Sequence, residues 1–316
     1  MIEKYYNGVI EQVAGGIGNV EHNSILVRYS NDFSIWDLES VNHYKDQTDI
    51  FFTCHEFSYN KIAEAYEPYL GLIRQMFHKY CSGTLEEFME ECDVYKLQRP
   101  VFESYFEKGF CERTEQILID EVEYEQERMR NSIVTMLQKL SEIRPVVIVL
   151  NRFQLASKST MQLSNSLLQT KNKNIGIVLG VNDVQSIPEF AHEEWDAICE
   201  SMDDRNMVYH IGNAGRNMEP DVMDYYSDYE SDDGYRKLNN LVYFLDFDQA
   251  DHHLSKIERR IKFDNFTISE KKHYQLLLLQ IMVSVLQRDI AKALESCEVI
   301  RNAQKAAISH GSKLIS

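Results

Sequence analysis

The chain has 316 residues, which suggests about two domains, and its 33 Lys and Arg residues against 50 Asp and Glu residues give a formal net charge of −17. This negative charge disfavours non-specific attraction to nucleic acid and to anionic membrane surfaces. No apolar run approaches the ~18 residues of a membrane helix, the first residues lack the apolar segment of a secretory signal, and the cysteines form no C-x-x-C pair. We therefore expect a cytoplasmic protein with reduced thiols, no metal site, and neither a nucleic acid nor a membrane partner.

The amino-terminal stretch combines a modest strand signal with a glycine cluster. Apolar residues recur over positions 8–13, and the sequence Ala-Gly-Gly-Ile-Gly-Asn follows at 14–19. Glycines crowded after a strand are what a loop needs if backbone N–H groups are to approach phosphate oxygens closely. The alternative is a glycine turn that binds no ligand. The candidate nucleotide-binding residues are Gly15, Gly16, Gly18 and Asn19.

This glycine cluster lacks two groups of a working phosphate-binding loop. In the pattern G-x-x-x-x-G-K-[ST], the lysine reaches the β and γ phosphates and the hydroxyl binds magnesium. Here Asn19 and Val20 follow Gly18, so both groups are missing. The cluster therefore predicts a nucleotide site that is at best degenerate.

The next segments predict an ambiguous element, a strand and a helical region. Residues 24–30 fit either the first helix or a strand, because apolar and polar residues are mixed there. Residues 49–54 form a short, aromatic strand bounded by polar residues. Residues 84–144 are rich in Glu, Leu, Met and Phe and contain a single proline, Pro100, which predicts a helical insertion ahead of the next strand.

Residues 144–160 contain the clearest strand of the chain and a polar tip. Positions 146–150 are consecutive apolar residues, most of them β-branched, which is typical of a strand buried on both faces of a parallel sheet. Asn151 and Arg152 follow at the carboxyl end of this strand, where open α/β sheets place their ligands. Apolar residues then recur at helical spacing over 161–168, so the order is strand, polar tip and amphipathic helix.

Two more strands complete the prediction of an α/β fold. Residues 174–183 form another buried strand with a polar tip at Asn182, and residues 207–211 form a final candidate strand. A short helix is predicted between them, over 188–202. Together with the strands predicted earlier, these segments give strands separated by helices, which predicts a parallel, doubly wound sheet with flanking helices.

The last third of the chain changes character. Residues 216–234 predict an acidic linker, because positions 224–234 contain acidic residues and no basic one. A calcium loop is disfavoured there, since the glycine falls one residue too late and Asn239 replaces the bidentate glutamate. Residues 235–316 are predicted to be wholly helical.

These carboxyl-terminal helices resemble tetratricopeptide repeats. Segment 289–294, with small Ala293 beside Leu294, is similar to the second helix of such a repeat, and segment 248–254 is a fainter echo. Small residues at such places let paired helices approach closely. The resemblance implies that protein partners bind through this all-α segment. Two units are few for a self-standing solenoid, so we also expect further repeats or an output domain beyond residue 316.

The order of elements in the first two thirds resembles the P-loop ATPase module of STAND-class signalling regulators, such as the maltose-regulon activators. In that family the strand at 146–150 would end in acidic residues that hold magnesium and polarise water, but Asn151 and Arg152 occupy those positions. The family's γ-phosphate sensor would correspond to Asn182, with an ordinary strand-end residue as the alternative. The resemblance implies a degenerate P-loop-NTPase-like domain over residues 1–215.

Other catalytic patterns are missing from the sequence. His192 and Glu193 begin an H-E-x-x-H pattern whose second histidine is absent. His252 and His253 are adjacent and would point about 100 degrees apart on a helix, which disfavours joint metal binding. No G-x-S-x-G elbow occurs, so no catalytic residue is nominated.

Three functional hypotheses follow. The first is a non-hydrolysing NTPase-like regulatory or protein-interaction scaffold of bacterial-type signalling with no resident cofactor, because little remains to neutralise charge on a γ phosphate. The second is a STAND-class switch that binds ATP or ADP through the backbone amides of residues 15–18, with the self-association that nucleotide exchange controls in that family. The third is a plain interaction module without nucleotide.

Overall fold

A computed structural model of the chain describes residues 2–18, 23–30, 34–45, 49–58, 61–111, 122–170, 172–182, 191–203, 207–211, 231–263 and 268–309. These residues form both strands and helices, with two short 3₁₀ turns at Ile35–Asp37 and Phe153–Leu155. The α/β class predicted from the sequence is therefore confirmed.

The strands form one all-parallel sheet. They are β1 (Ser24–Tyr29), β2 (Phe51–Glu56), β3 (Val146–Asn151), β4 (Ile175–Asn182) and β5 (Val208–Ile211). Their order in the sheet is β2-β3-β4-β1-β5. Strands β3 and β4 are buried along their whole length, as their unbroken apolar sequences predict.

Helices make up most of the described chain. They are α1 (Ile2–Gly15), α2 (Glu39–Lys45), α3 (Tyr69–Tyr80), α4 (Leu85–Glu91), α5 (Arg99–Lys108), α6 (Val122–Ile143), α7 (Lys158–Gln169), α8 (His192–Asp203), α9 (Asp232–Tyr243), α10 (Phe247–Phe263), α11 (Glu270–Leu286) and α12 (Ile290–Ser309). Among these described helices, none has the length and apolar character needed to cross a membrane. Helices α4, α5 and α6 lie in the region predicted as a helical insertion.

Helices cover both faces of the sheet and create two hydrophobic cores. Alternate residues of a strand point to opposite faces. In β3, Val147 and Val149 join the smaller core under α1 and α2. Val146, Ile148 and Leu150 join the larger core under α3, α6, α7 and α8. The unbroken apolar sequence of β3 therefore contributes to both cores.

The first element is a helix, so the strand predicted over residues 8–13 is wrong. The buried residues of α1 recur at helical spacing and pack against the sheet; they are Tyr6, Val9, Ile10 and Val13. A window of six residues is too short to separate this spacing from that of a strand. The ambiguous segment 24–30 supplies the first strand instead.

Strands β1 and β4 lie at the switch point of the sheet. β1 connects through α2, on the smaller-core face, to β2 at one side of the sheet, whereas β4 connects through α8, on the other face, to β5 at the opposite side. Ligands of open α/β sheets bind outside the carboxyl ends of strands at such a point. A functional site is therefore expected where β1, β4 and β3 end.

The carboxyl-terminal helices share the larger core with the sheet. Phe244 follows α9 and is fully buried, and its ring makes edge contacts with the rings of Tyr66, Phe102 and Tyr105. Hydrophobic contact therefore continues across the domain boundary that we predicted at residue 235. That boundary and the tetratricopeptide identity of α9 to α12 stay predictions.

The start of α9 corrects one end of the predicted linker. Ser231 caps the helix, since its hydroxyl accepts a hydrogen bond of 2.8 Å from the Gly234 backbone N–H. Asp232 and Asp233 occupy the first turn, where negative charge favours the helix dipole. The last acidic residues of the predicted linker thus begin a helix, and the remainder, residues 216–230, lies outside the described residues.

Candidate functional site at the carboxyl edge of the sheet

Four neighbouring strands end in polar residues at one edge of the sheet. Glu56 ends β2 and pairs in register with Asn151, which ends β3. Tyr29 ends β1 and pairs with Asn182, which ends β4. The structure therefore brings the second-motif position Asn151 and the sensor-like position Asn182 to the same edge, together with Glu56 and Tyr29, which the sequence analysis did not identify.

The glycine cluster lies at the opposite edge. Gly15 is the last residue of α1, and Gly16 continues the turn with a backbone hydrogen bond to Gln12. The Gly18 N–H donates to the carbonyl of Lys173 at 2.8 Å, just before β4 begins. Because β4 has eight residues, roughly 25 Å separates the two edges. The structure does not bring Gly15, Gly16 and Gly18 together with Asn151, and Asn19 lies outside the described residues.

A phenol, an amide and a carboxylate form a hydrogen-bonded chain along the carboxyl edge. The Tyr29 hydroxyl donates to Asn151 Oδ1 at 2.7 Å. Asn151 Nδ2 donates to Glu56 Oε1 at 3.3 Å. Tyr29 and Asn151 are buried, so both polar ends of the Asn151 amide are used inside the protein. This chain lies on the face covered by α1.

Helix α1 closes over this chain because β4 has a glycine at the matching position. A Cβ atom added to Gly180 would lie 2.6 Å from Asn151 Oδ1 and would collide with the Tyr6 hydroxyl. Tyr6 is fully buried, and its ring makes an edge contact with the ring of Tyr29 at 6.5 Å between centroids. Burial raises the pKa of Tyr6, and the neighbouring Tyr29 raises it further. The Tyr6 phenol is therefore neutral and structural.

The carboxylate at this edge comes from β2 and is already engaged. The Arg152 guanidinium lies 3.6 Å from Glu56 Oε1, measured from Nε. The Ser34 hydroxyl donates to Glu56 Oε2 at 3.3 Å. Arg152 adopts a left-handed backbone conformation, φ 53°, which bends the chain sharply after β3. The second-motif position Arg152 thus pairs with Glu56 where an acidic residue would be needed to bind magnesium.

A 3₁₀ turn after β3 covers the end of β4. Gln154, in the middle of this turn, is fully buried, and its Oε1 accepts a hydrogen bond of 3.3 Å from the backbone N–H of Asn182. Asn182 is also buried. The sensor-like position therefore faces the interior of the protein, and no sequence signal identified Gln154 as its partner.

The amino end of α7, which also lies at this edge, is capped from within the protein. Ser157 Oγ accepts from the Thr160 N–H at 3.1 Å. Two further amides of α7 are satisfied by Asp246, which precedes α10, and by Gln249 in the first turn of α10. Gln249 Oε1 accepts from the N–H of residue 158 at 3.2 Å, and Asp246 Oδ2 accepts from the N–H of residue 159 at 3.0 Å. These acceptors occupy the place where a helix amino end could bind a phosphate.

Three titratable side chains lie beside the edge: His55, near the end of β2, and Glu64 and Glu67, which follow it. The Glu64 backbone N–H donates to Glu67 Oε2 at 3.1 Å, and His55 Nε2 lies 3.5 Å from Glu67 Oε1. Burial, followed by the charge of Glu67, raises the pKa of Glu64 to about 7. Burial also raises the pKa of Glu67 and lowers the pKa of His55 to about 4. At neutral pH this histidine is therefore uncharged.

The polar groups that end the strands at this edge hydrogen-bond within the protein. The Tyr29 hydroxyl, the Asn151 amide and the Glu56 carboxylate form one hydrogen-bonded chain, and the Asn182 backbone N–H donates to Gln154 Oε1. Within the part of the chain that the structure describes, no group of three or more His, Cys, Asp or Glu side chains is arranged to hold a metal ion.

Glu56 is the residue that the sequence could have revealed. It ends β2, a strand that was predicted over 49–54 and lies at Phe51–Glu56. Like Asn151, it is a polar residue at the carboxyl end of a strand. Tyr6, Gln154 and Asp246 reach the edge from other elements, and only the folded chain shows their positions.

Comparison with known proteins gives no relative. No protein-family model, curated protein or solved structure matches this chain significantly.

Proposed function

We propose that this protein is a non-hydrolysing, NTPase-like scaffold that acts by binding other proteins. The observation that carries the proposal is the buried, mutually satisfied polar chain at the carboxyl edge, from Tyr29 through Asn151 to Glu56. A phosphoryl-transfer enzyme needs charged groups at this place that are free to hold magnesium and the γ phosphate. Here the corresponding groups stabilise the fold.

The segment after β1 supports the same conclusion. A phosphate-binding loop joins the first strand of the sheet to the helix that follows it. Residues 30–38, which follow β1, contain no glycine and no lysine. The glycine cluster at 15–18 precedes β1 and lies at the other edge. The chain therefore lacks a phosphate-binding loop in the position that the fold would require.

The arrangement of strands supports the resemblance to an NTPase framework. The second-motif strand and the sensor strand must end side by side if both are to reach one phosphate, and β3 and β4 are neighbours. Both strands are followed by helices on the larger-core face, and helices follow the sheet domain at its carboxyl end. This strand and helix order supports the proposal, in which the charged groups of an NTPase site are replaced.

Titration with a fluorescent ATP analogue and magnesium tests the proposal. We expect no saturable binding, no change in the midpoint of thermal unfolding, and no phosphate release above that of a buffer control. Two variants locate any binding that is found: Gly18→Arg at the amino edge and Arg152→Ala at the carboxyl edge. Binding that Gly18→Arg abolishes would instead support the nucleotide-switch hypothesis. Binding lost in Arg152→Ala would show a working site at the carboxyl edge and would equally refute the proposal.

A further inference from the structure

A large groove lies between the sheet-covering helices and the carboxyl-terminal helices. One side is lined by α6, α7 and α8, of which α7 is termed the floor, and the other side by the start of α10 and the end of α11. Its volume is about 1530 Å³, which exceeds the roughly 300–1,000 Å³ of small-molecule sites. A groove of this size fits a segment of polypeptide better than a single metabolite.

The floor of the groove is rich in neutral amides. Gln162, Asn165, Ser166 and Gln169 follow one another along a single face of α7. The amide groups of Asn and Gln carry both donors and acceptors, as the backbone of an extended peptide does. Within the described residues, the only hydrogen bond of the Gln169 side chain is a long one, 3.4 Å, to Asn165 Oδ1. This end of the floor is therefore available to a peptide backbone.

The charges that line the groove are mainly negative. Its five acidic residues are Glu123, Glu127, Glu193, Glu194 and Asp248, and its basic residues are Arg130, Lys158 and Arg288. Lys158 Nζ is 2.6 Å from Asp248 Oδ2 and 3.7 Å from Glu194 Oε1, so these three charges largely satisfy one another. Arg130 donates to Gln162.

Three of the acidic residues keep their charge available. Glu123, Glu127 and Glu193 are exposed and form no ion pair with any described residue. Glu194, by contrast, is already engaged, since its Oε1 accepts from Gln162 Nε2 at 2.8 Å and lies 3.7 Å from Lys158 Nζ, and its Oε2 is buried. The groove therefore offers unsatisfied negative charge on a neutral amide floor.

We propose that this groove binds an extended, basic segment of another protein, with the amides of α7 recognising its backbone and the exposed glutamates pairing with its lysine or arginine side chains. The inference rests on the scaffold function proposed above, for which it names the partner. An acidic ligand is disfavoured by the excess of carboxylates. Nucleic acid is disfavoured for the same reason and by the net charge of −17.

Fluorescence anisotropy with a labelled peptide of alternating lysine and serine tests this inference. The matched probe is the same peptide with glutamate in place of lysine. The groove variant is Glu123→Gln, Glu127→Gln and Glu193→Gln together. Because any acidic protein attracts a basic peptide, the control variant removes the same charge from exposed positions elsewhere: Glu86→Gln, Glu90→Gln and Glu103→Gln.

We expect the lysine peptide to bind saturably and the groove variant to weaken that binding about tenfold, since exposed ion pairs are individually weak but act together. The control variant should stay within about twofold of the unaltered protein. A second variant, Asn165→Ala with Gln169→Ala, changes no charge and should also weaken binding.

Equal weakening by the control variant would show non-specific attraction and would overturn the inference. Absence of saturable binding, or preference for the glutamate peptide, would overturn it as well. These outcomes leave the scaffold proposal intact, because that proposal falls only if nucleotide binds at one of the two sheet edges.

Discussion

The two ends of the sheet are closed by different chemistry. At the amino edge, Asn23 Nδ2 donates to the carbonyls of Asn172 at 2.6 Å and Ile175 at 2.9 Å. These groups are neutral at all ordinary pH values. At the carboxyl edge, the hydrogen-bonded side chains of Tyr29, Asn151 and Glu56 include a carboxylate, and further titratable groups lie nearby. The comparison teaches that, at the end where open α/β sheets bind ligands, the polar and charged side chains hydrogen-bond one another and hold neighbouring strands together.

Helix α1 joins the two ends. It packs across β4, where Gly176 and Gly180 lie on the same face of the strand with Val178 between them. Val13 covers the first glycine and Tyr6 covers the second. Glycines inside a strand often mark a close approach of another element, and this pair allows one helix to close both edges.

The largest expected effect is a difference between these glycines. In Gly180→Ala the new Cβ would meet the Tyr6 hydroxyl and Asn151, both fully buried, so we expect a loss of about 3 kcal/mol in the free energy of unfolding. In Gly176→Ala the nearest atom, at 2.7 Å, belongs to the end of the Val13 side chain, and the loss should be about 1–2 kcal/mol. Urea unfolding measures both.

A control and a rescue sharpen this glycine comparison. Gly8 lies on α1 with no atom within 4 Å of an added Cβ, so Gly8→Ala should stabilise the protein by about 0.5–1 kcal/mol. Combining Gly180→Ala with Tyr6→Phe removes the hydroxyl that collides. The double variant should be more stable than Gly180→Ala alone, and equal stability of the two would show that α1 does not lie against β4 as described.

An effect of similar size is expected from Asn151→Asp, which places an acidic residue at the end of β3. The substitution removes the donor to Glu56 and places a second carboxylate beside it, in a fully buried site. We expect a loss of about 2–4 kcal/mol at pH 7 that becomes smaller in acid, as the new carboxyl is protonated. Phosphate release assays should detect no gain of ATPase activity; such a gain would contradict the structural role of this edge.

The carboxyl edge should also give the protein a pH dependence that the amino edge lacks. The pKa of Glu64 rises from 4.5 to about 7 in the folded protein. Below pH 4.5 the group is neutral in both states. As the pH rises through about 7, the folded state must ionise a buried carboxyl, so the stabilisation present in acid is lost.

Glu64→Gln removes this titration. Because the Glu64 side chain accepts a hydrogen bond of 2.8 Å from Asn240, which a glutamine oxygen can also accept, the variant should gain about 1–3 kcal/mol over the unaltered protein at pH 8 and little at pH 4. Unfolding in urea at both pH values measures the difference. Asn23→Ala at the amino edge should lose the same free energy at both pH values. A gain for Glu64→Gln that did not depend on pH would show that Glu64 does not have a raised pKa in the folded protein.

The smallest effect comes from two acidic residues that contact the start of α7, Asp246 just before α10 and Asp248 in its first turn. Asp246 is buried and accepts from an α7 backbone amide, so Asp246→Ala should cost about 1–2 kcal/mol, as for other helix caps. Asp248 pairs with Lys158 through a half-exposed side chain, so Asp248→Ala should cost about 0.5 kcal/mol and lose its effect in high salt. Equal costs for the two would show that the buried cap does not form.

Sequence patterns predicted the elements whose apolar pattern lies within one short stretch of the chain. The apolar runs of β3 and β4 and the amphipathic spacing of α7 need no knowledge of their neighbours, because these elements are buried on every side or on one continuous face. Helix α1 was mistaken for a strand because its apolar positions, taken six at a time, fit either period. Because a strand was predicted before the glycine cluster, the cluster was expected at the carboxyl edge of the sheet, whereas it lies at the amino edge.

The site itself could be predicted only in part. Asn151 and Asn182 follow buried strands directly, so their common edge follows from parallel pairing. The partners of Asn151 could not be predicted, since Tyr29 and Glu56 are 122 and 95 residues away along the chain and meet it only when the strands pair.

The capping of α7 by Asp246 and Gln249 has a consequence for how the protein can be divided. Removing the chain from residue 232 onward would leave the backbone N–H groups of Lys158 and Ser159 without acceptors. It would also remove the Phe244 ring, which contacts Tyr66, Phe102 and Tyr105. We therefore expect helices α9 to α12 to depend on the sheet region for their stability. We expect the whole chain to melt in a single calorimetric transition. We also expect helices α9 to α12 to lose stability when they are transferred to another protein without α7, whose backbone N–H groups donate to Asp246 and Gln249.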